Sequence, residues 1–343
     1  MRIAHARLVP YRLPLRRPWV AAAATLTERC GALLHLTADD GIEGWGDCAP
    51  LPSSGAAEHA RVIAALADLA RRVASADFSM ADVACPAEAR WALDTALADI
   101  AARRQGLPLA RYLGADAATG IAVNAALGPL DDDCAMRAAV ALGQGYAIGK
   151  IKVGLAEVDV ELQRLRAFVA ATRGRLRLRL DANRAWPRAA AEHFLVASAD
   201  LPIDAVEEPL MAPSLADLAA LQDVLPYALA IDESLPQFGA DALIAARAAR
   251  RFVLKPARLG GIDATRAIAE QARHAGIEIV LTSVVDSAIG VTAVAHLAAA
   301  IAPTLAHGLD TCAWLAADVA ASPLIAAGRL MLPASPGLGL TPL

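Results

Sequence analysis

Five apolar segments of the chain end in side chains that can carry out acid–base or metal chemistry. Their endings read Lys150-Ile-Lys152, Asp181-Ala-Asn183, Glu207-Glu208-Pro209, Asp232-Glu233-Ser234 and Lys255-Pro256. Successive endings lie roughly 25 residues apart, which is about the length of one strand followed by one helix. If each segment is a strand of one parallel barrel, these side chains meet at the mouth formed by the carboxyl ends of the strands.

Three carboxylates on neighbouring strands repel one another unless a cation lies between them. A hard divalent ion such as Mg²⁺, with Mn²⁺ as a substitute, takes oxygen ligands and keeps positions open for water and substrate. Lys152 and Lys255 would face each other across that ion, an arrangement suited to removing the proton α to a bound carboxylate. We expect partial burial, Lys150 and the ion to lower the pKa of Lys152, as a base requires.

Two of the acidic endings contain a pair of acids, and the sequence pattern does not choose between the members of each pair. Neighbouring residues of a strand point to opposite faces, so only one of Glu207 and Glu208, and one of Asp232 and Glu233, can point at the ion. The other member is expected to donate or accept hydrogen bonds behind the site, or to pair with Lys150. A single such residue is more often a solvated loop residue, but five in register are not expected by chance.

The segments that position these endings alternate with helical patterns rich in Ala and Leu. The predicted strands are Ile121–Ala126, Gly149–Val153, Leu176–Asp181, Ile203–Glu207, Ala228–Asp232, Phe252–Lys255, Ile277–Thr282 and Thr304–Leu309. Eight strands alternating with helices indicate an α/β fold with a (β/α)8-type, modified TIM barrel.

The region before the barrel has a different sequence pattern, without regular alternation of strands and helices. Strands are predicted over Arg7–Leu13 and Gly31–Ala38, and a helix over Pro86–Arg104. We therefore predict an α+β capping domain over residues 1–115 and a barrel domain over 116–321. A Pro- and Gly-rich segment, 322–343, is predicted to return to the capping domain.

Composition excludes several classes of protein. The 343 residues are 57% hydrophobic and carry a net charge of −4, which argues against disorder and against a nucleic-acid partner. The longest uncharged stretch, Ser287–Leu309, contains Pro303 and two histidines and reads as a buried helix and strand, so no membrane partner is expected. The five scattered cysteines and the absence of an N-terminal signal pattern favour the cytoplasm.

The set of strand endings resembles the muconate-cycloisomerase-like branch of the enolase superfamily. The turn-rich segment Gly41–Pro52 and the helical segment Trp91–Leu113 resemble parts of that branch too, so the likeness covers nearly the whole chain. The resemblance implies a Mg²⁺ site and an acid/base pair. It places the metal ligands at Asp181, Glu207 and Asp232, and the acid/base lysines at Lys152 and Lys255.

The resemblance gives further residues supporting roles. Lys150 would tune Lys152, Asn183 would orient a lysine or a water molecule, and Glu208 and Glu233 would support the ligands beside them.

Within the branch, the likeness is strongest to the o-succinylbenzoate synthase family of menaquinone biosynthesis. It is carried by Arg179–Trp186, by Leu281–Gly290 and by the segment His307-Gly-Leu-Asp-Thr311. Asp286 stands where many relatives have Glu. Leu309-Asp310 replaces the Asp-x-Asp with which dipeptide epimerases hold a substrate amine.

This likeness implies a lyase acting on a cyclohexadiene carboxylate that bears a hydroxyl group and a succinyl arm. Lys152 would remove the α-proton and return it to the departing hydroxyl in a syn elimination. Candidate substrate-binding residues are Ser283, Asp310 and Trp19, the last in a loop over the mouth.

Two other functions remain open from the sequence. The same scaffold serves N-acylamino acid racemases, dipeptide epimerases and muconate cycloisomerases. Two lysines suit either reading, since racemisation needs a base on each face and the elimination needs only one. A barrel that binds a ligand without catalysis is the remaining alternative. In each case the expected partner is a small carboxylate, and a homo-oligomer is compatible with the sequence.

Overall fold

The first part of the chain forms an antiparallel sheet covered by helices. The computed structural model describes residues 2–21, 24–51, 55–75, 78 and 84–343, without the side chains of 19–21 and 24–26. The sheet has the order β1 (Ile3–Ala21), β2 (Ala24–Ala38) and β3 (Glu43–Cys48), and the helices are α1 (Ala56–Val73), α2 (Ala87–Arg104) and α3 (Leu109–Leu113). The strands predicted over Arg7–Leu13 and Gly31–Ala38 and the helix predicted over Pro86–Arg104 are confirmed.

Helix α2 lies unusually close to strand β3 because two glycines face it. A Cβ atom on Gly46 would overlap the carbonyl oxygen of Ala92 and lie 2.7 Å from its carbonyl carbon. A Cβ atom on Gly44 would overlap the carbonyl oxygen of Ala96 in the same way. The two glycines are two residues apart and so share one face of the strand, which makes that face flat enough for the helix backbone.

The rest of the chain forms a curled parallel sheet with helices outside it. After the short strand β4 (Gly120–Ala122), the sheet strands are β5 (Ala125–Pro129), β6 (Ile148–Lys152), β7 (Arg177–Asp181), β8 (Ile203–Glu207), β9 (Ala228–Ile231), β10 (Arg251–Leu254) and β11 (Glu278–Leu281). Neighbours in the chain are neighbours in the sheet throughout. The intervening helices are α4 (Cys134–Gly143), α5 (Val158–Thr172), α6 (Arg188–Ala197), α7 (Leu215–Val224), α8 (Ser234–Phe238), α9 (Ala240–Ala245), α10 (Pro256–Leu259), α11 (Ile262–His274) and α12 (Ala288–Ile301).

The ring of the barrel closes through isolated bridges and not through an eighth strand. His307 pairs with Val123 ahead of β5, and Gly308 pairs with Thr282 after β11. The prediction of a strand over Thr304–Leu309 is therefore wrong, because β-bridges form there at His307 and Gly308 alone. The amide of Leu281 donates to Nδ1 of the His307 side chain, 3.0 Å away, so at this point an imidazole replaces the backbone acceptor of a regular ladder.

The first predicted strand also differs, since Ile121–Ala126 divides between β4 and β5. β4 leaves the barrel sheet to pair with the C-terminal strand β13 (Arg329–Met331), which forms a hairpin with β12 (Ile325–Ala326). The predicted fold class, an α/β (β/α)8-type barrel with an N-terminal α+β cap, is confirmed.

The C-terminal segment contacts both parts of the molecule. It pairs with β4, and further on the amide of Leu338 donates to Asp99 of α2, 2.7 Å away. Asp99 is fully buried and also accepts from the amide of Trp45 and from Arg103. One carboxylate thus joins β3, α2 and the C-terminal segment, while the division into domains at residues 115 and 321 stays a prediction.

The stretch Ser287–Leu309 contains α12, which is buried around most of its circumference. None of the helices in the described ranges is long and apolar enough to cross a membrane.

We expect Gly46→Ala to lower the free energy of unfolding by about 3 kcal/mol, because the new methyl group must displace the backbone of α2. Gly143→Ala is the matched control, since a Cβ atom there meets open space at the end of a helix. We expect that control to stabilise the protein by up to about 1 kcal/mol. Urea denaturation of both variants measures the difference, and equal stability of the two would contradict the close contact.

Candidate active site

Five strand endings bring the predicted site residues to one edge of the barrel sheet. In the parallel register Lys152 lies beside Asp181, and Asp181 lies beside Glu207. Asp232 follows the last residue of β9, and Lys255 follows the last residue of β10. The order around the mouth is therefore lysine, three acids and lysine on five successive strands.

Lys150 lies between two of the three acids. Its Nζ is 2.9 Å from Oδ2 of Asp181 and 2.7 Å from Oε2 of Glu207. Burial acts to raise the pKa of Asp181, but Lys150 outweighs it and lowers that pKa. Burial, with repulsion from Asp181, raises the pKa of Glu207 above its ordinary range. Lys150 thus contacts both carboxylates, while burial still disfavours the charged form of Glu207.

The two outer lysines differ in their surroundings. Lys255 donates to Oδ2 of Asp232; burial acts to lower the pKa of Lys255, but Asp232 and Glu207 outweigh it and raise the value. Lys152 is half-buried, and burial, helped by repulsion from Lys150, lowers its pKa despite the attraction of Asp181. Lys152 is thus the better base of the two, and Lys255 keeps its charge.

The structure separates the two members of the Glu207–Glu208 pair. Glu207 faces Lys150, whereas Glu208 points away and is almost completely buried. The Glu208 carboxylate accepts from the amides of Asp232 and Ser234, from the Ser234 hydroxyl and from Arg184. Its acceptor capacity is then used by protein donors, so it has no oxygen to offer a metal.

Glu233 and Asn183, the other predicted supporting residues, lie close to the candidate ligands Asp232 and Asp181. Oε2 of Glu233 is buried without a hydrogen-bond partner among the described residues, and burial with repulsion from Asp232 raises the pKa of its carboxyl group. The backbone amide of Asn183 donates to Oδ1 of Asp181, 3.2 Å away.

The three candidate ligands fit a hard cation by their chemistry. They are oxygen donors on adjacent strand ends, and a divalent ion would offset the mutual repulsion that, after burial, contributes to the raised pKa of Glu207. As the side chains of the described ranges stand, no group of three or more His, Cys, Asp or Glu surrounds one point, and lysine ammonium groups lie against the acids. The assignment of Asp181, Glu207 and Asp232 as ligands stays a prediction.

The three substrate-binding candidates lie in different settings. Ser283 is buried, and its hydroxyl lies 2.7 Å from the hydroxyl of Thr311. Oδ2 of Asp310 accepts from the hydroxyl of Tyr146 at 2.9 Å, and burial raises the pKa of Asp310 to about 6. The side chain of Trp19 lies outside the described residues.

Sequence reasoning missed Arg184 and Tyr146 as residues that contact site residues. Arg184 stood inside the motif around Asp181 but received no role. A charged residue directly after the Asp-Ala-Asn ending is the sequence feature that could have identified Arg184 as part of the site. Tyr146 lies two residues before β6 and carries no sequence signal linking it to Asp310.

His307 lies in the barrel wall and not at the reacting centre. It is fully buried, with Nδ1 accepting from Leu281 and Nε2 lying 2.8 Å from the carbonyl oxygen of Ala302. The contact at Nδ1 requires the neutral ring with its proton on Nε2, and burial lowers the pKa of His307 to about 4.

Comparison with known proteins decides the family. A family model described as the mandelate racemase / muconate lactonizing enzyme N-terminal domain matches residues 3–114, and one described as enolase C-terminal domain-like matches residues 133–343. The chain belongs to the enolase superfamily. The predicted superfamily is therefore confirmed, and members of this superfamily are Mg²⁺-dependent enzymes.

Superfamily relatives with different activities match the chain to similar degrees. The o-succinylbenzoate synthase of Yersinia enterocolitica is 32% identical over 89% of this chain and 90% of its own. The L-Ala-D/L-Glu epimerase of Bacillus subtilis is 28% identical over 96% of this chain and 93% of its own. A crystal structure of a dipeptide epimerase from Enterococcus faecalis, complexed with Mg and the dipeptide L-Leu-L-Tyr, covers 99% of this chain and 100% of its own, with a TM-score of 0.90 at 24% identity.

We expect His307 to contribute a loss of stability as the pH is lowered from 6.5 to 4. The unfolded state takes up a proton on His307 near pH 6.5, whereas the folded state resists until about pH 4, so protons favour unfolding in this window. The loss amounts to about 3 kcal/mol by pH 4. His296, with a pKa also lowered to about 4 by burial, adds a similar loss.

Urea denaturation of the wild type and of His307→Gln across this window measures the effect of His307. The variant keeps an acceptor and a donor but cannot titrate, so its stability should fall less steeply. Parallel profiles for the two proteins would contradict the neutral, buried histidine.

Proposed function

We propose that the chain is a Mg²⁺-dependent lyase of the o-succinylbenzoate synthase type. The observation that carries the proposal is the order of charges at the mouth, with Lys152 and Lys255 on either side of three carboxylates on successive strands. This order suits removal of a proton α to a substrate carboxylate. In this proposal Asp181, Glu207 and Asp232 hold the ion.

Bound Mg²⁺ would withdraw charge from the substrate carboxylate and so acidify its α-proton. Lys152 takes that proton at Nζ, which its lowered pKa favours. The carbon–oxygen bond to the hydroxyl group then breaks, and the same Nζ returns the proton to the leaving oxygen. The products are water and an aromatic ring, and the lysine regains its starting state.

Lys255 acts in this proposal as a fixed cation. Its pKa is raised, so its ammonium group stays charged and lies opposite Lys152 near the negative charge that develops on the substrate. Lys150 pairs with Asp181 and Glu207, and its charge helps to keep the pKa of Lys152 low.

The surroundings of Asp310 support a substrate without an amine. Its Oδ2 accepts from the hydroxyl of Tyr146, so one carboxylate oxygen that an ammonium group would contact already has a donor. The relative from Yersinia enterocolitica is named for the proposed activity. Ser283 would then bind the succinyl arm, and menaquinone biosynthesis in the cytoplasm is part of the proposal.

A racemase or epimerase is the second candidate, and one observation favours it. Both lysines are present, and a reaction that adds and removes the proton on opposite faces needs both, whereas the syn elimination needs one. The relative from Bacillus subtilis is named as an epimerase and matches most of the chain.

We expect Lys152→Ala to reduce kcat for dehydration about 10³-fold or more, because it removes the base and the acid together. The measurement compares kcat/KM for the dehydration substrate with that for N-succinylamino acids, each in the presence of Mg²⁺. Near-normal turnover by Lys152→Ala, with its fold intact, would rule out the assigned base.

Solvent deuterium separates the two candidate functions. A racemase incorporates deuterium at the α-carbon of both enantiomers of an N-succinylamino acid, and Lys152→Ala and Lys255→Ala each abolish exchange from one face. If the wild type exchanged both faces rapidly and did not dehydrate the cyclohexadiene substrate, the lyase proposal would be wrong.

A further inference from the structure

We propose that Glu208, Arg184 and Ser234 form a clamp that sets the spacing of the three candidate ligands and thereby the affinity for the metal. None of the three residues of this ligand clamp needs to touch the ion. The inference rests on the proposed function only in taking Asp181, Glu207 and Asp232 as the ligands. It makes Glu208 and Arg184 positioning residues.

The Glu208 side chain connects the end of β8 to the loop after β9. Oε1 accepts from the amide of Asp232 at 2.9 Å and from the amide of Ser234 at 2.7 Å. Oε2 accepts from the hydroxyl of Ser234 at 2.7 Å. Glu208 therefore holds the backbone of one candidate ligand, Asp232, directly, although it is itself next in sequence to another, Glu207.

Arg184 extends the same connection to the loop after β7. Its Nε donates to Oε2 of Glu208 at 3.1 Å, and one terminal nitrogen donates to the hydroxyl of Ser234 at 2.8 Å. The Arg184 backbone amide also donates to the carbonyl oxygen of Glu208 at 2.6 Å. Because Asp181 lies three residues before Arg184, the loops that carry all three candidate ligands are tied to one buried carboxylate.

The backbone at these points adopts conformations that need support. Asn183, Arg184 and Glu208 have φ values of 43°, 61° and 43°, in the left-handed region that side chains with a Cβ atom disfavour. Such conformations persist where surrounding contacts hold them, as they do here. At Glu208 the peptide turns so that Glu207 faces the mouth while the next carboxylate faces away from it.

A neutral side chain cannot replace Glu208 in this role. A glutamine would present an NH₂ group to the donors of Ser234, Asp232 or Arg184, and at least one contact would become repulsive. The loops after β7 and β9 would then move relative to β8. Residues that orient metal ligands in other proteins change metal affinity by about 10- to 100-fold when they are lost.

The test measures Mn²⁺ binding without substrate, by electron paramagnetic resonance titration of free Mn²⁺ against the purified full-length protein. We expect Glu208→Gln to raise the Kd about 10-fold or more. Asp99→Asn is the matched control, since Asp99 is also a buried carboxylate that accepts from two backbone amides and an arginine, but it lies at the cap. Its melting temperature should fall comparably, with a Kd within twofold of the wild type.

A milder variant covers the case in which Glu208→Gln does not fold. Ser234→Ala removes one hydroxyl that both Glu208 and Arg184 contact, and it should raise the Kd severalfold in the same direction. A wild-type Kd in the folded clamp variants, or an equal increase in Asp99→Asn, would overturn the clamp. Absence of Mn²⁺ binding by the wild type would instead overturn the proposed metal site, and the clamp with it.

Discussion

The arrangement of side chains at the mouth of this barrel depends on electrostatic repulsion among several carboxylates that are close together and largely buried. Asp181, Glu207 and Asp232 end neighbouring strands, and their mutual repulsion must be offset if all are to remain charged. Lys150 and Lys255 offset part of it by direct contact. Burial, helped by repulsion from Lys150, lowers the pKa of Lys152, so the lysine beside Asp181 differs in charge balance from Lys255.

The cap and the C-terminal segment are fixed to the barrel by buried carboxylates of a different kind. Asp99 accepts hydrogen bonds from β3 and from Leu338, and Asp47 accepts from the amide and the hydroxyl of Ser287 at the start of α12. Arg29 is fully buried and donates to the carbonyl oxygen of Val285. Asp99 and Asp47 each accept from a backbone amide of another element, whereas Asp181, Glu207 and Asp232 face lysines.

The sequence predicted most of the barrel because strand length, spacing and polar endings repeat once per unit. It could not predict the missing eighth strand, since the replacement of a backbone acceptor by the His307 ring depends on a three-dimensional contact. Strand alternation likewise could not predict which of Glu207 and Glu208 faces the mouth. It depends on a left-handed backbone at Glu208 and on donors from Arg184 and Ser234 in two other loops.

The segment that closes the barrel through His307 and Gly308 also leads to the cap. A complete eighth strand would be held on both sides by a continuous ladder, but here only two residues are paired. The chain that follows runs directly to the cap, where Leu315 pairs with Leu15 and the amide of Ala316 donates to Pro14. The closure of the barrel ring and this attachment to the cap therefore lie within ten residues of chain, from His307 to Ala316, so an insertion or deletion here would disturb both at once.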